Sequence, residues 1–220
     1  FIGRAAVLGD NSIVIGGRSL NPSGSSNVSG LVKLTADGLV AIDFATRAER
    51  FLTRRPGARH ARWSPSGDRL AFLANTERGP RVHVLPMDGG EARPITAAPA
   101  GVGTFAWSPD GEAIAYVAAE AAPPADGLET PFVVGNDHYL TTESPRPSHL
   151  YLVAAAGGEA RRLTSELNLA TSFGPAPLSF SPDGRSLAFV PVRGLHSGDA
   201  DRTAVHVLEI ATGEARAVTG

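Results

Sequence analysis

WSPSGDRLAFL (Trp63–Leu73), WSPDGEAIAYV (Trp107–Val117) and FSPDGRSLAFV (Phe180–Val190) are three versions of one sentence. Each sets an aromatic residue, a Ser-Pro pair and a turn ahead of an uninterrupted apolar run. Asp110-Gly111 and Asp183-Gly184 are strong two-residue turn signals, because glycine reaches positive φ without steric cost. Ser66-Gly67 is a weaker form. The prolines Pro65, Pro109 and Pro182 stand ahead of the turns, where a missing N–H does least harm to a strand ladder. The runs LAFL, IAYV and LAFV never alternate with polar residues, which predicts strands covered on both faces. Their small-then-large order, Ala71-Phe72, Ala115-Tyr116 and Ala188-Phe189, suits a tapered stack of sheets.

A second signature follows each copy of the first: HVLPMDGGEARPIT (His83–Thr96), LYLVAAAGGEARRLT (Leu150–Thr164) and VHVLEIATGEARAVT (Val205–Thr219). It reads as strand, glycine turn, Glu, short strand and Thr. VAIDFATRAERFLT (Val40–Thr53) keeps the shape without the glycines, and AVLGDNSIVIGG (Ala6–Gly17) is a worn copy of the first signature. Units of about 40–45 residues with four short strands are the mark of β-propeller blades. The expected fold is all-β: a partial propeller of about four four-stranded antiparallel blades, a fragment of a larger ring. The blades fall near residues 1–53, 60–96, 104–164 and 177–219, with an insertion at 118–147. Trp63, Trp107 and Phe180 become fillers between neighbouring blades. A β-sandwich would not require the same aromatic at the same place in every repeat.

The 220 residues carry a net charge of −2, which gives no electrostatic case for nucleic acid or an anionic membrane. Arginines from Arg47 to Arg69 read as lying at strand ends and turns, not gathered with aromatics as nucleic-acid binding demands. There are no cysteines, so disulfides, thiolate nucleophiles and cysteine metal sites are excluded. The compartment stays open between bacterial cytoplasm and periplasm. Both ends of the chain read as cuts through a larger protein. No metal ligand set and no cofactor motif are found.

From Phe132 to Val190 the chain resembles the N-terminal propeller of bacterial serine peptidases of the prolyl oligopeptidase family, which includes dipeptidyl-peptidase and acylaminoacyl-peptidase relatives. Val134–Asp137 (VGND), Pro147–Leu150 (PSHL) and Gly157–Thr164 (GGEARRLT) carry the resemblance. The Ser-Pro-Asp-Gly copies are shared with TolB-type propellers. The resemblance implies a C-terminal α/β-hydrolase domain with a Ser-Asp-His triad, shielded by the propeller and fed peptide substrates. That catalytic domain is absent from this chain. A nucleophile elbow needs Gly-x-Ser-x-Gly. GRSLN at Gly17 fails at its last position, and GLHSG at Gly194 sets serine one place late. The chain alone is expected to be inactive. The alternative is a non-catalytic TolB-like propeller that binds a protein partner.

In the resembling family, acidic residues of propeller insertions meet the substrate amino terminus, and Glu120 and Glu129 are the carboxylates of this insertion. No paired-glutamate motif accompanies them, and solvated loop charge is the simpler account. His196, Ser197, Asp199, Asp201 and His206 lie close in sequence but read as a polar hairpin loop and a strand. Asp137 and His138 diverge if their segment is extended. Asn21–Gly30 reads as a Ser/Gly-rich loop that includes the acceptor pattern Asn27-Val28-Ser29.

Overall fold

The computed structural model describes residues 5–7, 13–18, 29–35, 38–43, 49–55, 57–121, 147–165, 169, 177–191 and 204–218. They form four antiparallel sheets, each built from strands consecutive in sequence. The first holds β1 (Ala5–Val7), β2 (Ile13–Arg18), β3 (Ser29–Thr35), β4 (Gly38–Asp43) and β5 (Glu49–Thr53). The second holds β6 (Arg59–Trp63), β7 (Arg69–Thr76), β8 (Gly79–Pro86) and β9 (Arg93–Pro94). The third holds β10 (Val102–Trp107), β11 (Ala113–Ala119), β12 (Ser148–Ala154) and β13 (Arg161–Arg162). The fourth holds β14 (Leu178–Phe180), β15 (Ser186–Phe189), β16 (His206–Glu209) and β17 (Ala215–Ala217). The fold is a partial β-propeller, and no helix among the described residues is long and apolar enough to cross a membrane.

The Ser-Pro segments make the same joint each time. Ser108 accepts from Gly111 N–H at 2.9 Å, closing a four-residue turn, and Gly111 sits at φ 75°. Ser64–Gly67 and Ser181–Gly184 close identically at 2.9 Å, with Gly67 at 77° and Gly184 at 72°. The turn is longer than the Asp-Gly pair that the sequence marks. The real turn also includes Ser and Pro, because Pro presets the second turn position and the glycine takes the left-handed fourth. The serine then locks the hairpin. Its hydroxyl donates to the turn aspartate, Ser108 Oγ to Asp110 at 2.5 Å and Ser181 Oγ to Asp183 at 2.6 Å. The same oxygen accepts the backbone N–H of Ala113 or Ser186, each at 2.9 Å. In the first copy Asp68 accepts from both Ser64 and Ser66.

Three apolar seams join the four sheets. Along β7, Leu70, Phe72 and Ala74 enter the seam with the first sheet, and Ala71 and Leu73 enter the seam with the third. Along β11, Ile114, Tyr116 and Ala118 face the second sheet, and Ala115 and Val117 face the fourth. Side chains alternate faces every residue, so a run buried on both faces must be apolar throughout. This also reassigns the small-then-large pair. The ring of Phe72, Tyr116 or Phe189 faces the preceding sheet while Ala71 or Ala115 faces the following one. Each of the last two seams therefore matches an alanine with an aromatic ring, rather than tapering along one strand. Trp63, Trp107 and Phe180 pack against the first, second and third seams in turn.

Polar latches cross the seams. Trp107 Nε1 donates to the Arg62 carbonyl at 3.1 Å, and the Arg69 guanidinium lies 5.5 Å from the Trp107 ring centroid. Arg69 reaches Glu112 at 3.4 Å, and Arg161 donates to the Ile210 carbonyl at 2.7 Å. The first sheet departs from the expected four strands by having five. Its β3 matches neither signature, and Ser29 and Gly30 of the expected loop belong to it. The fourth sheet departs in burial. Val205 holds the place of Val82 and Leu150, each accepting the N–H of the outer segment, yet it is 39% exposed where they are 0%. Val218 is 51% exposed where its counterparts Ile95 and Leu163 are 7%.

Candidate functional site

The two ends of the insertion meet where β11 stops and β12 starts. Register places Ala119 opposite Ser148, and Glu120 N–H donates to the Pro147 carbonyl at 2.9 Å. Pairing across these strands sets Glu120 beside His149, whose side chain is 3% exposed. Glu120 Oε1 lies 3.0 Å from His149 Nε2 and 3.1 Å from Arg162 Nη1. Arg162 is carried in by β13, which pairs Arg162 with Tyr151. Its guanidinium is fixed by donation from Nε to the Thr164 carbonyl at 2.6 Å and from Nη2 to the Ser165 carbonyl at 3.3 Å.

His149 Nε2 also lies 2.7 Å from Arg162 Nη2. One nitrogen thus stands between a carboxylate, which only accepts, and a guanidinium, which only donates. With a proton on Nε2 it donates to Glu120, and without one it accepts from Arg162. Thr164 favours the first arrangement. Its hydroxyl oxygen accepts Leu150 N–H at 3.0 Å, which leaves its own proton for His149 Nδ1, 3.5 Å away. Carboxylate, imidazole and hydroxyl therefore form a chain, but the hydroxyl is buried and already engaged by backbone. The arrangement holds the stem of the insertion closed; it does not activate a nucleophile. Glu120 is 40% exposed, and Oε1 is the oxygen that meets both partners.

Of the expected site residues, Glu120 lies here and Glu129 lies outside the described residues. So do Asp137, His138, His196, Ser197, Asp199, Asp201 and Asn27. His206 sits on β16, its ring 6.0 Å from Phe189, as a strand residue. Among the described residues no group of three His, Asp or Glu is arranged to hold a metal. Sequence reasoning missed His149 and Arg162 as partners of Glu120. The available signal was a histidine on the strand that resumes the blade immediately after the insertion.

No family model matches the chain. The uncharacterized peptidase YuxL of Bacillus subtilis (strain 168) is 33% identical over 143 residues, 58% of this chain and 21% of its own length. A TolB structure from Agrobacterium tumefaciens aligns with 93% of this chain and 61% of its own, at 18% identity and TM-score 0.54. Acylaminoacyl peptidase from Pyrococcus horikoshii aligns with 100% of this chain and 33% of its own, at 12% identity and TM-score 0.58. The chain thus spans about a fifth of the curated relative and less than two thirds of either structure. It shares the propeller fold of the two solved structures.

Proposed function

We propose that this chain is the substrate-gating portion of a serine peptidase, with peptide hydrolysis carried out by an attached α/β-hydrolase domain. The observation that carries the reading is the 33% identity over 143 residues to an uncharacterized peptidase, in a chain that folds as propeller sheets. Blades packed through apolar seams form a rigid wall, and a wall beside a hydrolase selects substrates by size. Glu120 and Glu129 are proposed to meet the substrate amino terminus. A fluorophosphonate probe should label the full-length protein and leave this chain unlabelled. Deleting residues 1–220 from the full-length enzyme should let it cleave an unfolded protein that the intact enzyme spares. Labelling of the isolated chain, or unchanged size selection after the deletion, would refute the proposal.

A second reading is a TolB-like propeller that binds a protein partner without catalysis, supported by the 93% coverage of this chain in the TolB alignment. A full-length protein that contains no Gly-x-Ser-x-Gly elbow and resists the probe selects this reading.

A further inference from the structure

The first strands of the second, third and fourth sheets, β6, β10 and β14, lie side by side, and Trp107 Nε1 bonds to the Arg62 carbonyl between two of them. β10 meets β8 as well, but only these first strands meet their own counterparts from sheet to sheet among the described residues, so they line the inner side of the arc. Their sequences are RHARW, VGTFAW and LSF. Every charged residue on this wall is basic: Arg59 and Arg62, with His60 between them. The connection leading into β6 adds the exposed Arg54 and Arg55, and residues 51–67 contain no Asp or Glu. This concentration stands out in a chain whose net charge is −2.

None of these four arginines has a carboxylate partner among the described residues. Arg59 donates to Asn75 Oδ1 at 3.1 Å and to the Gly57 carbonyl at 3.4 Å, and Arg62 donates to the Ala61 carbonyl at 3.3 Å. Arg54 lies over the Phe51 ring at 4.0 Å. The backbone between the arginines is irregular. The register of β6 on β7 shifts between Arg59 and Arg62, and His60 adopts φ 52°, a left-handed conformation that non-glycine residues avoid. His60 Nδ1 is buried without a hydrogen-bond partner among the described residues. Burial and then the Arg62 and Arg59 charges lower the His60 pKa. Bulges that re-aim side chains and strained non-glycine residues concentrate at binding sites.

We propose that the inner wall at Arg59–Arg62, with Arg54 and Arg55 at its entrance, binds the carboxylates of acidic peptides. The proposal rests on the reading that peptides pass this propeller, and adds which peptides it concentrates. Unpaired guanidinium forks match carboxylates in bidentate geometry. A concave wall of one sign raises the local concentration of the opposite charge. Nucleic acid fits less well, because base stacking needs open aromatic faces and the Trp63 and Trp107 rings are packed into seams.

The test is fluorescence anisotropy on this chain with a labelled hepta-glutamate peptide, a hepta-glutamine control and a single-stranded oligonucleotide of equal charge. The glutamate peptide should bind about tenfold or more tighter than the control, with affinity falling as salt rises from 50 to 200 mM. Arg62→Gln, and Arg59→Gln with Arg62→Gln, should abolish most of that preference. Arg216→Gln on the outer strand should not, with all thermal midpoints compared to confirm folding. Equal binding of the two peptides, full preference in the folded double variant, or tighter binding of the oligonucleotide would overturn it. Hydrolysis plays no part in this readout, so failure here leaves the gating proposal to its own deletion experiment.

Discussion

Trp63 and Trp107 hold the same place in successive repeats, yet the structure predicts opposite consequences for trimming each to Phe. Trp107 donates its indole N–H to the Arg62 carbonyl at 3.1 Å, and Arg69 lies over its ring. Trp63 Nε1 is buried with no hydrogen-bond partner among the described residues. Trp107→Phe forfeits one hydrogen bond, worth about 0.5–1.5 kcal/mol, and a cation–π contact worth about 0.5–1 kcal/mol. Trp63→Phe removes an unsatisfied buried donor and so recovers about 1–3 kcal/mol. The apolar area lost is common to both and cancels when they are compared. Trp107→Phe should therefore be less stable than Trp63→Phe by about 2–5.5 kcal/mol. Urea unfolding of this chain measures it, provided the dependence on denaturant is the same in both variants. Equal midpoints, or a lower midpoint for Trp63→Phe, would show that the inter-sheet hydrogen bond does not carry the difference.

Gly101→Ala should destabilise the chain by about 2–4 kcal/mol in the same assay, since a Cβ there would lie 2.5 Å from Pro80 Cδ at φ 83°. The His83 pKa is lowered chiefly by burial, with Arg55 and Arg81 acting in the same sense against the bond from its ring to the Arg81 carbonyl. The unfolded chain therefore takes up a proton first, so stability is full above pH 6.5 and falls below it; His83→Phe should flatten that slope in thermal melts. Asp110 and Asp183 are held below the usual carboxylate range first by the Ser108 and Ser181 hydroxyls. Their stabilisation is present above 3.8 and is lost as pH falls through their folded values, so Ser108→Ala with Ser181→Ala should weaken the acid dependence of the melting temperature. At the insertion stem, Glu120→Gln should cost less than about 1 kcal/mol because Glu120 and Arg162 are both partly exposed. His149→Ala should cost about 2–4 kcal/mol, and the reverse order would contradict the stem geometry.

The parts of the fold that could be read in advance are those written in local chemistry. Ser, Pro and Gly at fixed offsets specify the hairpin joint, because each supplies a hydroxyl, a preset φ or a left-handed residue that the turn itself consumes. The β3 strand, Ser29–Thr35, escaped because it lies between the two signatures and opens in a Ser/Gly stretch. Its place comes from six paired positions with β2 and six with β4, a property of neighbours. The Glu120 site was half legible for the same reason. The carboxylate is visible in the insertion, but its histidine lies 29 residues away and is brought to it by the β11–β12 register.

By itself the sequence determined the repeating unit: an aromatic, a locked turn, and a strand apolar at every position because both its faces must leave water. Only the tertiary structure decided which faces meet. Val82, Leu150 and Val205 occupy one place in the repeat, yet the first two are sealed and the third is 39% exposed. Burial belongs to the seam between two sheets, and no single repeat contains a seam.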